Sequence, residues 1–207
     1  MRITWSKFGI PHGYVCSTPV HIIYRLKGCL PVGPLRELHN ELKEQLAALT
    51  SLGETKSAHR DRVLEDFQHK YDEMLDALDQ KKYILTKPDV AQIVLDSWEW
   101  LENQDLIRRI AICVMGNHIH AVIVGVEGND EYPLGVLLTQ HKTFTNHEIR
   151  KKHELPSVVW ELGYFDRYVR EGSLDAVVLY VVLNPTKAGL IQSWDNWPYL
   201  YIAPTRN

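Results

Sequence analysis

The chain has 207 residues, of which 45% are hydrophobic and 24% charged. These proportions are typical of an ordinary soluble globular protein, and the length suffices for one core with an elaboration or for two small domains. The net charge of −3 argues against tight, non-specific binding of nucleic acid. The charge is uneven, however: the residues up to Arg36 carry no acidic side chain, and acids crowd into 37–105. A locally basic surface is therefore compatible with the sequence.

The cysteines and the lengths of the apolar segments indicate the cellular compartment in which the protein is expected. The three cysteines, Cys16, Cys29 and Cys113, show no CxxC spacing. This argues against a disulfide framework or a zinc ribbon and is typical of a reducing cytosol. The N-terminal residues lack the continuous apolar segment of a signal peptide, and no run of about 18 apolar residues could span a membrane. We therefore expect a cytoplasmic protein.

The first predicted elements are a strand and a pair of helices. Residues 20–27 are rich in β-branched and aromatic side chains, which predicts a strand. Leucines then recur at helical spacing from Leu35 to Leu46, and apolar residues do so again from Val63 to Leu78. This pattern predicts a polar helical hairpin over about 34–82, with a turn at 51–59. Its many charges are expected to form solvated faces.

Further elements follow in quick succession. Pro88 is a typical first residue of a helix. Two apolar, β-rich segments separated by Gly116 and Asn117 predict a two-residue hairpin. The full set is a helix over 88–102, strands over 106–115 and 118–126, a helix over 133–152, a strand over 163–170, and a last helix capped by Ser173 and ended by Pro185 and Gly189. Trp194, Trp197 and Tyr199 are expected to pack back on the core.

The order of these elements predicts the fold. Without the helical hairpin the order is strand, helix, strand, strand, helix, strand, helix. This is the α+β, ferredoxin-like βαββαβ plan with one added C-terminal helix. We expect one antiparallel sheet with helices on one face, in a single domain over 1–207 with the helical insertion at about 34–82.

A pair of histidines lies within the predicted hairpin. On a strand, His118 and His120 point to the same face, whereas Ile119 points to the other. Two imidazoles directed at one point suit a divalent metal, but two ligands do not make a site. For a His-x-His motif on its own, a hydrogen-bonded pair at a sheet surface is the commoner explanation.

The last predicted helix supplies residues that could complete such a site. Tyr180 and Asn184 are four apart and share a helix face, with Lys187 near the same line. Taken alone, Asn184 would be a C-terminal cap and Tyr180 a residue of the core or its rim. Taken together with the histidines, the Asn184 amide oxygen could complete a metal site beside Tyr180. The phenol could then attack a phosphorus whose oxygen the metal polarises, giving a phosphotyrosine bond to DNA without a nucleotide cofactor.

Four stretches resemble a known family. "MGNHIHAVIV", "ELGYFDRYVR", "LYVVLNPTKAGLI" followed by "WDNWPY", and "VHIIYRLKGCLP" resemble the REP-associated tyrosine transposases. These are a branch of the single-tyrosine HUH transposases of the insertion-sequence-200 type. The resemblance extends from about residue 18 to 203. The combination and order of the motifs is specific, whereas the His-x-His motif alone is not.

The resemblance implies a function and a set of site residues. Family members bind single-stranded DNA hairpins of palindromic repeats, as monomers or homodimers. They nick one strand through a 5′-phosphotyrosine intermediate, leave a free 3′-OH, rejoin DNA and use Mg²⁺ or Mn²⁺. The resemblance implies His118, His120 and Asn184 as metal ligands, Tyr180 as the nucleophile, and Lys142, Arg167 and Arg170 as DNA contacts, with Lys187 a further candidate for DNA binding. For the two arginines, ion pairs with Asp166 or Glu171 are an equally good interpretation.

The sequence departs from the family pattern at two positions. Gly116 stands where the family most often has Pro, and Glu161 stands where Gln is typical. Two other functions also stay open. One is a domesticated DNA-hairpin-binding protein that does not cleave. The other is a phosphoesterase of small nucleotides, which would need a second His-x-Thr motif; residues 141–143 fit that spacing but lie on a predicted helix.

Overall fold

The computed structural model describes residues 4–5, 11–12, 14–15, 17–50, 56–126 and 132–204 of the chain. Its central feature is a sheet of five antiparallel strands. The strands are β1 (Val20–Arg25), β2 (Ile107–Val114), β3 (His118–Gly125), β4 (Phe165–Tyr168) and β5 (Leu200–Ile202). Their order across the sheet is β4-β1-β3-β2-β5. The first four strands therefore follow the predicted ferredoxin-like plan, and β5 adds an edge strand that the sequence did not predict.

Five helices surround the sheet. They are α1 (Val32–Thr50), α2 (Lys56–Asp76), α3 (Pro88–Asn103), α4 (Leu134–His153) and α5 (Leu174–Lys187). Three short 3₁₀ turns cover Gln80–Lys82, Ile84–Thr86 and Trp194–Asn196. The expected helical hairpin is α1 with α2. Of the expected turn at 51–59, residues 51–55 lie outside the described residues, and α2 already begins at Lys56.

The minor elements lie outside the central sheet. Thr4–Trp5 pairs with Pro11–His12, and Tyr14–Val15 pairs with Tyr132–Pro133. Trp197 and Tyr199 of the C-terminal tail pack back as expected, with Trp197 Nε1 donating a hydrogen bond to the Val114 carbonyl at 3.1 Å, whereas Trp194 is exposed. None of the helices in the described ranges has the length and apolar content needed to cross a bilayer.

Both faces of the sheet are covered, so the expectation of helices on one face is wrong. One face packs against α3 and α4 in a cluster that includes Ile22, Tyr24, Ile119 and Trp98. The other face packs against α5 in one cluster and against α1 and α2 in another. The physical reason lies in the strands, because all six residues of β1 are buried. A half-exposed strand would alternate between buried and exposed side chains.

The observed ends of the last helix, α5, differ from the predicted ones. Ser173 is the residue before α5, but its side chain makes no capping hydrogen bond. Pro185 lies inside α5 and does not end it. Near a C-terminus its missing N–H removes a single backbone bond, and the Ala188 N–H still donates to the Asn184 carbonyl at 2.9 Å. The chain leaves the helix at Gly189, whose φ of +67° is typical of a helix C-terminus.

The turn between β2 and β3 is held by the end of the inserted hairpin. The Met115 N–H donates to the His118 carbonyl at 2.9 Å, which closes the predicted two-residue turn. The side chain of Asn117 donates to the Leu75 carbonyl at 3.0 Å. A Cβ on Gly116 would lie 2.2 Å from the backbone oxygen of Gln80. The backbone that follows α2 therefore leaves no room for a side chain at position 116.

This close approach predicts a stability effect. Gly116→Ala should lower the free energy of unfolding by about 1–3 kcal/mol, because the added methyl group overlaps a backbone oxygen and forces the two segments apart. Denaturant unfolding followed by circular dichroism measures the change. Gly33→Ala is the matched control, since a Cβ there meets nothing within 4 Å. Equal midpoints for the two variants would contradict the argument.

Candidate active site

Three histidines lie side by side on the sheet face that α2 and α5 cover. In the antiparallel register His118 is opposite Arg25 and His120 is opposite Ile23, so both imidazoles share the face of His21 on β1. The side chains of His21, His118 and His120 are all buried. The structure therefore brings the two predicted histidines together and adds a third that the sequence analysis missed.

These histidines belong to one continuous chain of hydrogen bonds. Because the Asn117 amide nitrogen donates to Leu75, its Oδ1 accepts from His118 Nδ1 at 2.6 Å. With its proton on Nδ1, His118 can only accept a hydrogen bond at Nε2, and it does so from His120 Nε2 at 2.9 Å. His120 Nδ1 then accepts from His21 Nε2 at 3.1 Å, and His21 Nδ1 accepts from Gln68 Nε2 at 3.2 Å. One assignment of protons satisfies every step from α2 to the hairpin turn.

Burial keeps all three histidines uncharged. It lowers the pKa of His118 to about 3. Burial, with the positive charge of Arg167 as a smaller cause, lowers the pKa of His21 to about 3. The pKa of His120 also lies well below its ordinary value, chiefly because of burial. Neutral imidazole is the form that binds metal ions, so none of these histidines has to lose a positive charge before it can act as a ligand at neutral pH.

Helix α5 brings Tyr180 and Asn184 to the same place. The ring centre of Tyr180 lies 6.0 Å from that of His120 and 6.1 Å from that of His21. Asn184 is buried, and its Nδ2 donates to the Tyr180 carbonyl at 3.1 Å. The Oδ1 of Asn184 has no hydrogen-bond partner among the described residues. The structure thus unites the two sequence stretches and leaves one buried amide oxygen available.

The Tyr180 hydroxyl contacts the inserted hairpin. It donates a hydrogen bond to Asp72 Oδ2 on α2. Lys187 Nζ lies 4.1 Å from the Tyr180 ring centre. Burial raises the pKa of Asp72 to about 8 and that of Asp76, one turn later, to about 6. Burial and the neighbouring Asp72 carboxylate also raise the pKa of Tyr180 above its ordinary value.

Sequence analysis missed the α2 residues because they resemble a solvated helix face. The available signal is a second line of polar residues, four apart, beside the apolar line of α2. Gln68, Asp72 and Asp76 form this polar line, and all three face inward.

Two of the predicted DNA-contacting residues also meet α2. Arg167 Nη1 lies 3.2 Å from Glu65 Oε1. Arg170 lies 3.4 Å from both Asp61 and Glu65. The inserted hairpin therefore supplies carboxylate partners for both arginines that the sequence analysis did not predict. Both arginines border a pocket of about 200 Å³ that opens beside Tyr180.

The structure does not bring Lys142 to this site. Lys142 lies on α4, which covers the opposite face of the sheet. Its Nζ donates to the carbonyls of Glu161 and Gly163, both at 2.9 Å. Burial lowers its pKa to about 7.

The residues of the phosphoesterase alternative are likewise on the other face. His141 Nε2 lies 2.6 Å from the Tyr24 hydroxyl, and Nδ1 lies 2.9 Å from Ser97 Oγ. Both partners belong to the α3 and α4 side of the sheet. His141 therefore cannot face the same substrate atom as His118 and His120.

The donor set limits how a metal could be held. Within the described ranges no group of three His, Cys, Asp or Glu side chains is arranged to hold a metal ion. A metal at the histidine pair would therefore need the Asn184 amide oxygen as its third protein ligand. Two neutral imidazoles and an unpartnered amide oxygen are donor types that fit that requirement once the His120 proton lies on Nδ1 rather than on Nε2.

Comparison with known proteins gives a relative. No family model matches the chain. A curated protein of Haemophilus influenzae (strain ATCC 51907 / DSM 11121 / KW20 / Rd), named putative REP-associated tyrosine transposase, is 28% identical over 98 residues. The match covers 44% of this chain and 56% of that protein, so the chain spans about half the length of the curated relative. Over that part, the chain is similar to a protein named as a putative REP-associated tyrosine transposase.

A solved structure is similar to this chain in its fold. A REP-associated tyrosine transposase bound to a REP hairpin matches with a TM-score of 0.56 and 13% identity. The match covers 91% of this chain and 78% of that chain. It confirms the predicted fold class.

Proposed function

We propose that the protein is a metal-dependent transposase, a single-strand DNA endonuclease and strand transferase acting at hairpins formed by palindromic repeats. The observation that carries the proposal is the position of Tyr180 beside the paired, neutral His118 and His120, with the unpartnered Asn184 oxygen one turn further along the same helix. The resemblance to REP-associated tyrosine transposases, and the REP hairpin bound by the matched structure, support DNA hairpins as the substrate.

The proposed reaction exchanges one phosphodiester bond for another. The Tyr180 oxygen attacks the phosphorus, and the bond from phosphorus to the 3′ oxygen breaks. The products are a 5′-phosphotyrosine and a free 3′-OH. The new bond conserves the energy of the old one, so attack by a 3′-OH can rejoin DNA without a nucleotide cofactor.

His118, His120 and Asn184 would hold the Mg²⁺ or Mn²⁺ of this proposal. The ion, when bound, supplies neutralisation of charge that develops on the phosphate oxygens. For His120 Nε2 to act as a ligand, its proton must lie on Nδ1. His120 would then donate to His21, and His21 Nδ1 would donate to the Oε1 of Gln68. That Gln68 oxygen is buried and has no partner among the described residues.

The groups around the pocket suit a phosphate backbone. Arg167, Arg170 and Lys187 place positive charge beside Tyr180. The carboxylates of Asp61 and Glu65 pair with the two arginines in half-exposed positions. Such pairs contribute at most about 1 kcal/mol, so DNA phosphates can replace them.

The first test is covalent attachment of DNA. Single-stranded oligonucleotides of the repeats beside the gene are incubated with protein and Mn²⁺ or Mg²⁺, and a denaturing gel shows any adduct. We expect an adduct with the wild type and none with Tyr180→Phe, because phenylalanine lacks the attacking oxygen. Tyr199→Phe is the control, since that hydroxyl donates to the Thr86 carbonyl away from the site.

The same experiment distinguishes the proposed transposase from the second candidate function, a DNA-hairpin-binding protein that does not cleave. The Tyr180 hydroxyl is engaged in a hydrogen bond to Asp72, which would also suit a hairpin-binding protein that does not cleave. Hairpin binding without an adduct from the wild type would establish that function. An adduct on Tyr180→Phe would place the nucleophile elsewhere and contradict the proposal.

The second test concerns the metal. Gln68→Ala should weaken Mn²⁺ binding by about 10–100-fold, because it removes the group that orients His21 and through it His120. Isothermal titration calorimetry on the protein without DNA measures the affinity. Gln45→Ala is the control, since Gln45 is an exposed residue of α1 that bonds Glu41. Unchanged Mn²⁺ affinity in Gln68→Ala would show that Gln68 does not orient the metal-binding histidines. Loss of the adduct on adding a chelator to the wild type would confirm that the reaction needs a metal.

A further inference from the structure

The inserted hairpin places a carboxylate on the proposed nucleophile. Asp72 of α2 is 2% exposed and accepts the hydrogen bond of the Tyr180 hydroxyl. Its other oxygen, Oδ1, is buried and has no partner among the described residues. Burying a carboxylate with one oxygen that lacks a hydrogen-bond partner is normally unfavourable. The contact of Asp72 with the Tyr180 hydroxyl therefore calls for a functional explanation.

Helix α2 is a fixed part of this site. Its apolar line, which includes Phe67, Tyr71 and Leu75, packs with Ile23 and Phe165 of the sheet. Arg25 Nε on β1 also donates to the Tyr71 hydroxyl at 3.0 Å. Displacing α2 would expose this cluster, and each large apolar side chain contributes roughly 1.5–3 kcal/mol when fully buried. Asp72 is therefore held against Tyr180 by the core.

We propose that Asp72 is a catalytic residue that takes the proton of the Tyr180 hydroxyl. This inference rests on the proposed function. As the Tyr180 oxygen forms its bond to phosphorus, its proton passes to the Asp72 carboxylate. The bond from phosphorus to the 3′ oxygen breaks, and that oxygen keeps the electron pair and takes a proton from water. In rejoining, Asp72 returns its proton to the departing Tyr180 oxygen.

The electrostatic surroundings support this assignment. Tyr180 is held in its protonated form by burial and by the Asp72 carboxylate, so attack requires a group to receive the proton. Burial raises the pKa of Asp72 to about 8, so its ionised form accepts a proton more strongly than an exposed aspartate but is the major form only above that pH. Lys187 acts in the opposite direction and favours the ionised carboxylate.

The variant Asp72→Asn tests the proposal. Asparagine has nearly the same size and can still accept a hydrogen bond from Tyr180, but it cannot take the proton. Under single-turnover conditions we expect adduct formation to slow by about 10²–10⁴-fold, the usual contribution of general base catalysis. Hairpin affinity and Mn²⁺ affinity should stay at wild-type values. Glu73→Gln is the control, because Glu73 is the next residue of α2 but its side chain is exposed, and this variant should retain the wild-type rate.

A fluorinated tyrosine in place of Tyr180 distinguishes proton transfer from a structural role. Ring fluorine makes the phenol more acidic, so its proton leaves more readily without a base. The ratio of adduct-formation rates between the protein with Asp72 intact and the Asp72→Asn variant should therefore shrink when both carry the fluorinated ring. A purely structural effect of Asp72→Asn would be unchanged by the fluorine, and an unchanged ratio would overturn the inference.

Each remaining outcome has one meaning. An adduct from the wild type at the same rate in Asp72→Asn would overturn the inference and leave the proposed function intact. A faster rate in Asp72→Asn would also overturn it, because Asp72 would then restrain the nucleophile. Absence of any adduct from the wild type would overturn the proposed function and this inference together.

Discussion

The buried line of polar groups from Gln68 to Asn117 is the constraint on which the site depends. Its three histidines lie in a buried layer between the sheet and two helices. A buried polar group without a partner costs about 1–3 kcal/mol, so each nitrogen must find one. The inserted hairpin meets that need at both ends, because Gln68 bonds His21 and the Leu75 carbonyl orients Asn117. The helical insertion therefore completes the site.

The parts of the fold that the sequence predicted are those set by local periodicity. Alternation along β3 placed His118 and His120 on one face, and the four-residue spacing placed Tyr180 over Asn184. Pairing between distant elements could not be predicted in this way. The docking of α2, and with it the roles of Gln68 and Asp72, depends on packing between residues some 40 to 110 positions apart in the chain. The added strand β5 and the second covered face depend on the same kind of contact.

The two kinds of contact made by α2 differ in strength. Its apolar line is buried against the sheet, whereas its outer carboxylates form half-exposed pairs with Arg167 and Arg170. Exposed pairs exchange readily with other anions. In the proposed function, a DNA strand would take over the arginines while α2 stays docked. This division also accounts for an acid-rich insertion in a protein proposed to bind DNA.

The central claim is that α2 remains part of the site when DNA is bound. Hydrogen–deuterium exchange of the protein, alone and with a repeat hairpin and Mn²⁺, measures this directly. We predict that the backbone amides around Asp72 keep or increase their protection in the complex. Loss of protection across α2 on DNA binding would contradict the account, because it would show that the helix is displaced to open the site.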